Sequence, residues 1–120
     1  MASARTVLCC DATEERRREL AQRLTAEGFT VILAGSPAEC ITLAAAHHPA
    51  AIVLDAALLY VDQASIPEYL YRVSAASPIL LMQDGVRGPL PLPLFVHGSI
   101  PRRSLKVLVA TLTRCLTPAA

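Results

Sequence analysis

Two acids stand where a side chain could do chemistry. Asp11 closes the apolar run 7–10, and Asp55 closes the apolar run 50–54. A short apolar run that stops on one acid reads as a buried strand delivering a carboxylate to its carboxyl end. In an open α/β sheet, ligands bind in the crevice outside those ends. Two carboxylates brought into one crevice repel each other, and a divalent cation relieves the repulsion. Oxygen donors of this kind suit Mg²⁺, which keeps several of its waters. Simpler roles exist for both: Asp11 as an aid to capping the first helix, Asp55 as a solvated strand-end residue.

The elements that would position these acids alternate between short aliphatic runs and helical patterns, which predicts a parallel sheet. The first strand covers 6–10. Thr13 is the expected cap of a helix reaching about 27, with Glu14 and Glu15 in its first turn, and Gly28 ends it. Leu20 and Leu24 point inward, with Glu14–Arg18 and Glu19–Arg23 pairs outward. The second strand begins at Thr30. Ser36-Pro37-Ala38-Glu39 is a capping box with Pro at the first helical position, so a second helix starts there and closes before Pro49. His47 and His48 read as a surface cap at its end. The third strand is 50–54. A short helix over 67–75 follows, capped by Ser65 or Asp62, and the fourth strand is 79–82. The fifth strand is placed at 95–96. The last helix is placed from about 101 to 115, with Arg102 and Arg103 solvated at its start.

Composition narrows the function classes. The 53% hydrophobic and 18% charged content suits strands covered on both faces. A net charge of +1 gives no electrostatic case for nucleic acid, and the Arg residues lie scattered among acids, as solvated helix faces require. No apolar run spans a bilayer and no secretory signal is visible. Cys9, Cys10, Cys40 and Cys115 lack CxxC spacing and read as reduced, small hydrophobes of a cytoplasmic protein. The chain reads as one domain, 1–120, with 116–120 a tail or the start of a linker.

The segments Val7-Leu8-Cys9-Cys10-Asp11 and Pro49-Ala50-Ala51-Ile52-Val53-Leu54-Asp55, the spacing of the two acids, Asp62 beyond them, Gly28-Phe29 and Ser77-Pro78 resemble the receiver domains of bacterial response regulators. The resemblance covers nearly the whole chain. It implies a flavodoxin-like (βα)5 doubly wound parallel sheet in strand order 2-1-3-4-5. It further implies that Asp55 is the phosphoacceptor, attacking the phosphohistidine of a sensor histidine kinase to form an acyl phosphate. Mg²⁺ would then be held by Asp11, Asp55 and the backbone carbonyl of Ala57.

The chain departs from that pattern at four positions. Ala12 stands where the family has a second acid, and Gln83 where it has Thr or Ser. Asp84 replaces a small residue, unless it serves as a substitute metal ligand. Gly98, followed by Ser99, takes the place of the Lys in the Lys-Pro pair. His97 does not replace that Lys, since adjacent strand residues face opposite ways. Residues 83–94 carry Gly85, Gly88, Pro89, Pro91 and Pro93, so the usual fourth helix is expected to be lost to a Pro-rich loop. Its loss would uncover apolar sheet, partly covered by Leu90, Leu92 and Leu94, and make the 83–96 region and the last helix a candidate homodimer or partner surface. The expected role is an atypical receiver module rather than a turnover enzyme. Its alternative is a phosphorylation-independent pseudo-receiver that binds other signalling proteins. A small hydrolase or nucleotide-binding domain lacks its signatures here, a Gly-rich phosphate loop or a GxSxG elbow.

Overall fold

Five parallel strands form the centre of the computed structural model, which describes residues 5–84 and 92–116. The elements run β1 (Thr6–Cys10), α1 (Glu14–Ala26), β2 (Thr30–Ala34), α2 (Pro37–His47), β3 (Ala51–Asp55), the small hairpin β4 (Tyr60–Val61) and β5 (Ala64–Ser65), α3 (Ile66–Val73), β6 (Ile79–Gln83), β7 (Gly98–Pro101) and α4 (Leu105–Leu116). The sheet order is β2-β1-β3-β6-β7. With the hairpin set aside, this is the 2-1-3-4-5 order of a doubly wound flavodoxin-like sheet.

Every residue of β1 and β3 is buried, because helices cover both faces of the sheet. Alternation along the strands sorts their side chains into two cores. Val7, Cys9, Val53, Leu80, Met82 and Ile100 pack under α1 and α4, on Leu20, Leu24, Leu108 and Leu112. Leu8, Cys10, Ile52, Leu54 and Leu81 face the other way, onto Cys40 and Ala44 of α2 and Leu70 of α3.

Local signals explain most helix ends. Ser36 Oγ accepts the Glu39 N–H at 3.2 Å, and Glu39 Oε1 accepts the Gly35 N–H at 2.6 Å, so the box closes one residue further out than expected. His48 takes a left-handed φ of 44° and ends α2; both His47 and His48 are exposed. Ser65, not Asp62, caps α3 by accepting the Glu68 N–H. Thr13 occupies the cap position of α1, yet its side chain makes no capping bond. The Glu14–Arg18 pair forms, whereas Arg23 reaches Glu27 rather than Glu19. Cys115 is exposed, unlike the three buried cysteines.

Two expectations are corrected, and one element is added. The hairpin β4–β5 has no strong turn signature in sequence; Asp62 and Gln63 supply its turn at φ 48° and 69°, the conformation a two-residue hairpin needs. The fifth strand is Gly98–Pro101, not 95–96. Phe95 cannot continue a strand at φ 70°; it stacks on Tyr71 with ring centroids 4.5 Å apart. The last helix consequently starts at Leu105, with Ser104 Oγ accepting the Val107 N–H, and Pro101 ends the edge strand, where its missing N–H does no harm. Between β6 and β7 the described residues hold no helix. Gly85, Gly88, Pro89, Leu90 and Pro91 lie outside the described residues, as does the tail after Leu116. Among the described residues no helix is long and apolar enough to cross a membrane.

Candidate functional site

The alternation that builds the cores also builds the site. Asp55 continues the series Ala51, Val53, and Asp11 continues Val7, Cys9, so both acids emerge on the α1–α4 side of the sheet. Parallel pairing of Cys10 with Leu54 brings the two chain positions level. Asp84 follows Leu80 and Met82 in the same series, and Arg102 follows Ile100. Four charged residues are thus aimed at one hollow by strand parity alone.

Asp11 and Asp55 are 4% and 2% exposed. Two such groups need partners, since a buried unpaired charge is costly. Asp11 Oδ1 accepts the Thr13 N–H at 2.8 Å, and its Oδ2 accepts Arg16 Nε at 2.9 Å. Arg16 Nη2 extends to Asp55 Oδ2 at 3.5 Å, and Arg102 Nη2 donates to Asp55 Oδ1. The other arm of Arg102, Nη1, lies 3.0 Å from Asp84 Oδ2. One network therefore runs Asp11–Arg16–Asp55–Arg102–Asp84. The hydrogen bond to Asp11 leads the causes that raise the Arg16 pKa above its ordinary value, with the charges of Asp11, Asp55 and Asp84 adding to it. A cavity of about 110 Å³ beside the network is lined by Asp11, Arg16, Glu19, Leu20, Met82, Arg102 and Leu105.

The other expected residues fall around this centre. Ala12 is exposed, and Ala57 lies in a single 3₁₀ turn, Ala56–Leu58, directly after Asp55. Gln83 ends β6 and donates from Nε2 to Ser99 Oγ at 2.6 Å. Gly98 opens β7 opposite Leu80, where an added Cβ would lie 3.2 Å from Leu80 Cδ2. His97 has no place in the crevice: its Nδ1 accepts the Ile79 N–H at 3.0 Å, at the far end of the strand pair. Asp11 does assist the start of α1, through Thr13, as well as facing Asp55.

The arginines are what sequence reasoning missed. Arg102 is not a solvated helix residue; its side chain is 21% exposed and contacts two acids. With β7 ending at Pro101, it supplies a cation from the end of the last strand. Arg16 and Arg17 are likewise not free surface groups. Arg17 Nη1 donates to the Asp11 carbonyl at 2.7 Å, and an added Cβ on Gly35 would lie only 3.1 Å from that same nitrogen. A usable signal existed: Arg102 stands two residues beyond the buried Ile100, in step with the inward series.

A divalent cation does not fit these residues as they stand. Each oxygen of Asp11 and Asp55 already accepts a donor, and a guanidinium carries the compensating charge between them. Asp84, the possible substitute ligand, faces Arg102 instead. Among the described residues no group of three or more His, Cys, Asp or Glu side chains could hold a metal ion.

No family model matches the chain, and no curated protein matches it. Solved structures do. The response regulator of Desulfuromonas acetoxidans superposes with a TM-score of 0.77 at 18% identity, over 92% of this chain and 95% of that one. The chemotaxis protein CheY4 of Vibrio cholerae gives 0.72 at 19% identity, over 96% and 98%. The receiver domain of the hybrid histidine kinase CckA gives 0.69 at 17%, over 93% and 99%. The chain therefore has the fold of response-regulator receiver domains.

Proposed function

We propose that this chain is a divergent receiver module of two-component signalling that works by association with other signalling proteins, its Asp55 withheld from phosphoryl transfer. One observation carries the reading: both Asp55 oxygens are engaged, one by Arg16 and one by Arg102. A carboxylate acts as a nucleophile through an oxygen lone pair, and each Asp55 oxygen here faces a guanidinium donor in a site that is almost fully buried. The arginines would have to leave before an incoming phosphohistidine could react. Asp84, more than half exposed beside the same entrance, adds a repelling charge.

Association with a histidine kinase or another signalling protein would use the apolar side chains left outside the core. Leu92, Leu94 and Val107 are exposed at 43%, 76% and 44%. They lie on the segment before β7 and on α4, the region expected to carry a homodimer or partner contact. Sedimentation velocity tests the homodimer form of that contact; a strict monomer at high concentration would remove it.

A second reading keeps Asp55 as a working phosphoacceptor. It is favoured by the placement of Asp55 at the carboxyl end of central strand β3, level with Asp11. One experiment decides between the two: incubation with Mg²⁺ and acetyl phosphate, followed by intact-mass measurement. The expected result is an unchanged mass. A robust gain that Asp55→Asn abolishes would overturn the association-only reading and establish the second.

A further inference from the structure

We infer that Arg16 is a tethered replacement for the divalent cation, so that the crevice is charge-compensated by the chain itself and metal binding is latent. The inference rests on the reading of the crevice as a receiver-type site and goes beyond it by naming what occupies the position between the acids. Two buried carboxylates on adjacent strands repel each other, and a positive charge between them relieves the repulsion. In this chain that charge comes from α1. Its first turn follows directly on the end of β1, and Arg16 is the residue whose Nε reaches Asp11 while its Nη2 reaches Asp55.

Three further observations agree with a built-in cation rather than a chance surface pair. Ala12 leaves one carboxylate fewer in the crevice, so a single guanidinium goes further toward neutralising what remains. Arg102 brings a second cation against Asp55 from the opposite side, which makes the spot repulsive to an added dication. The backbone is arranged to hold α1 in register with the acids. Asp11 anchors Thr13 at the helix entry, and Arg17, the neighbour of Arg16, fastens to the Asp11 carbonyl across Gly35. Arg16 itself remains 38% exposed, so it fills the crevice from the solvent side, as an entering ion would.

The consequence is a metal site that appears when the arginine is removed. Mn²⁺ is the probe, because its paramagnetism broadens the amide resonances of nearby residues. In the wild-type chain, Mn²⁺ should leave the amides around Asp11 and Asp55 sharp. In Arg16→Gln the same amides should broaden, with affinity higher on the order of tenfold, the size of an ordinary coupling between competing ligands. Adding Asp11→Asn to that variant should abolish the gain. Broadening at the crevice of the wild-type chain would overturn the inference, and this arm requires no variant to fold. A folded Arg16→Gln protein with no gain in affinity would overturn it equally. The phosphoryl assay is separate: a wild-type mass gain defeats the association-only reading, whereas wild-type Mn²⁺ broadening defeats this one.

Discussion

Two buried regions lie a few residues apart along the same strands and are held by different forces. The interior of the sheet is filled by Val, Leu, Ile and Cys from β1, β3 and β6, packed against helices on both sides. At the carboxyl ends of those strands the chain buries Asp11 and Asp55 and satisfies them with Arg16 and Arg102. In the first region stability comes from area removed from water and is spread over many contacts. In the second it depends on a few directed pairs. Removing one partner there leaves a stranded charge, so the loss is larger than the net worth of the pair.

The contrast can be tested from its strongest side downward. Leu54→Ala empties a fully buried position and should cost about 3 kcal/mol in urea denaturation, with little change between low and high salt. A double-mutant cycle on Arg102 and Asp55, using Arg102→Met and Asp55→Asn, should give a coupling of about 2 kcal/mol. The same cycle on Arg18 and Glu14, exposed at 68% and 77%, should give about 0.3 kcal/mol and vanish in salt. Equal couplings for the two pairs would erase the distinction between crevice and surface.

The thiols sharpen the comparison from the apolar side. Burial, then the neighbouring Cys10 and Asp11, pushes Cys9 up from 9.0 to about 12. Cys10 is raised as well, first by its hydrogen bond with Cys40 and then by burial. A maleimide at neutral pH should therefore label Cys115 quickly and the other three only on unfolding. The sign for stability follows from the same shift. The unfolded thiol loses its proton from about pH 9 and the folded one near 12, so the Cys9 contribution is intact below pH 9 and declines as pH rises between those values. Rising stability over that window would contradict a dry strand core.

Much of this fold is legible in the residues, and the reasons are local. Apolar runs ending on Asp11 and Asp55 mark two central strands, and Ser36-Pro37 with Glu39 marks the start of α2. The pairing of the two acids follows from the parallel order. The fifth strand is obscured because Phe95 and Val96 look like strand residues, whereas Phe95 takes a φ of 70° and turns its ring onto Tyr71, features that no local residue pattern marks. That misplacement hides Arg102, which then reads as the opening of a helix. Arg16 is hidden differently. It sits in an Arg-Arg-Arg run at the start of α1, and only its reach back to Asp11 and Asp55 in three dimensions distinguishes it from Arg18. Sequence periodicity marks which face of an element is apolar; it does not mark which surface cation bends back over a buried acid.

The most direct test of the arginine-filled crevice is an NMR spectrum of the arginine side chains. Arg16 and Arg102 should give guanidinium N–H signals that persist at neutral pH, shifted away from those of the solvated arginines, and Asp55→Asn should move both, Arg102 the more, since Arg16 keeps its Nε bond to Asp11. Rapidly exchanging Arg16 and Arg102 signals in the wild-type protein, unmoved by Asp55→Asn, would contradict it.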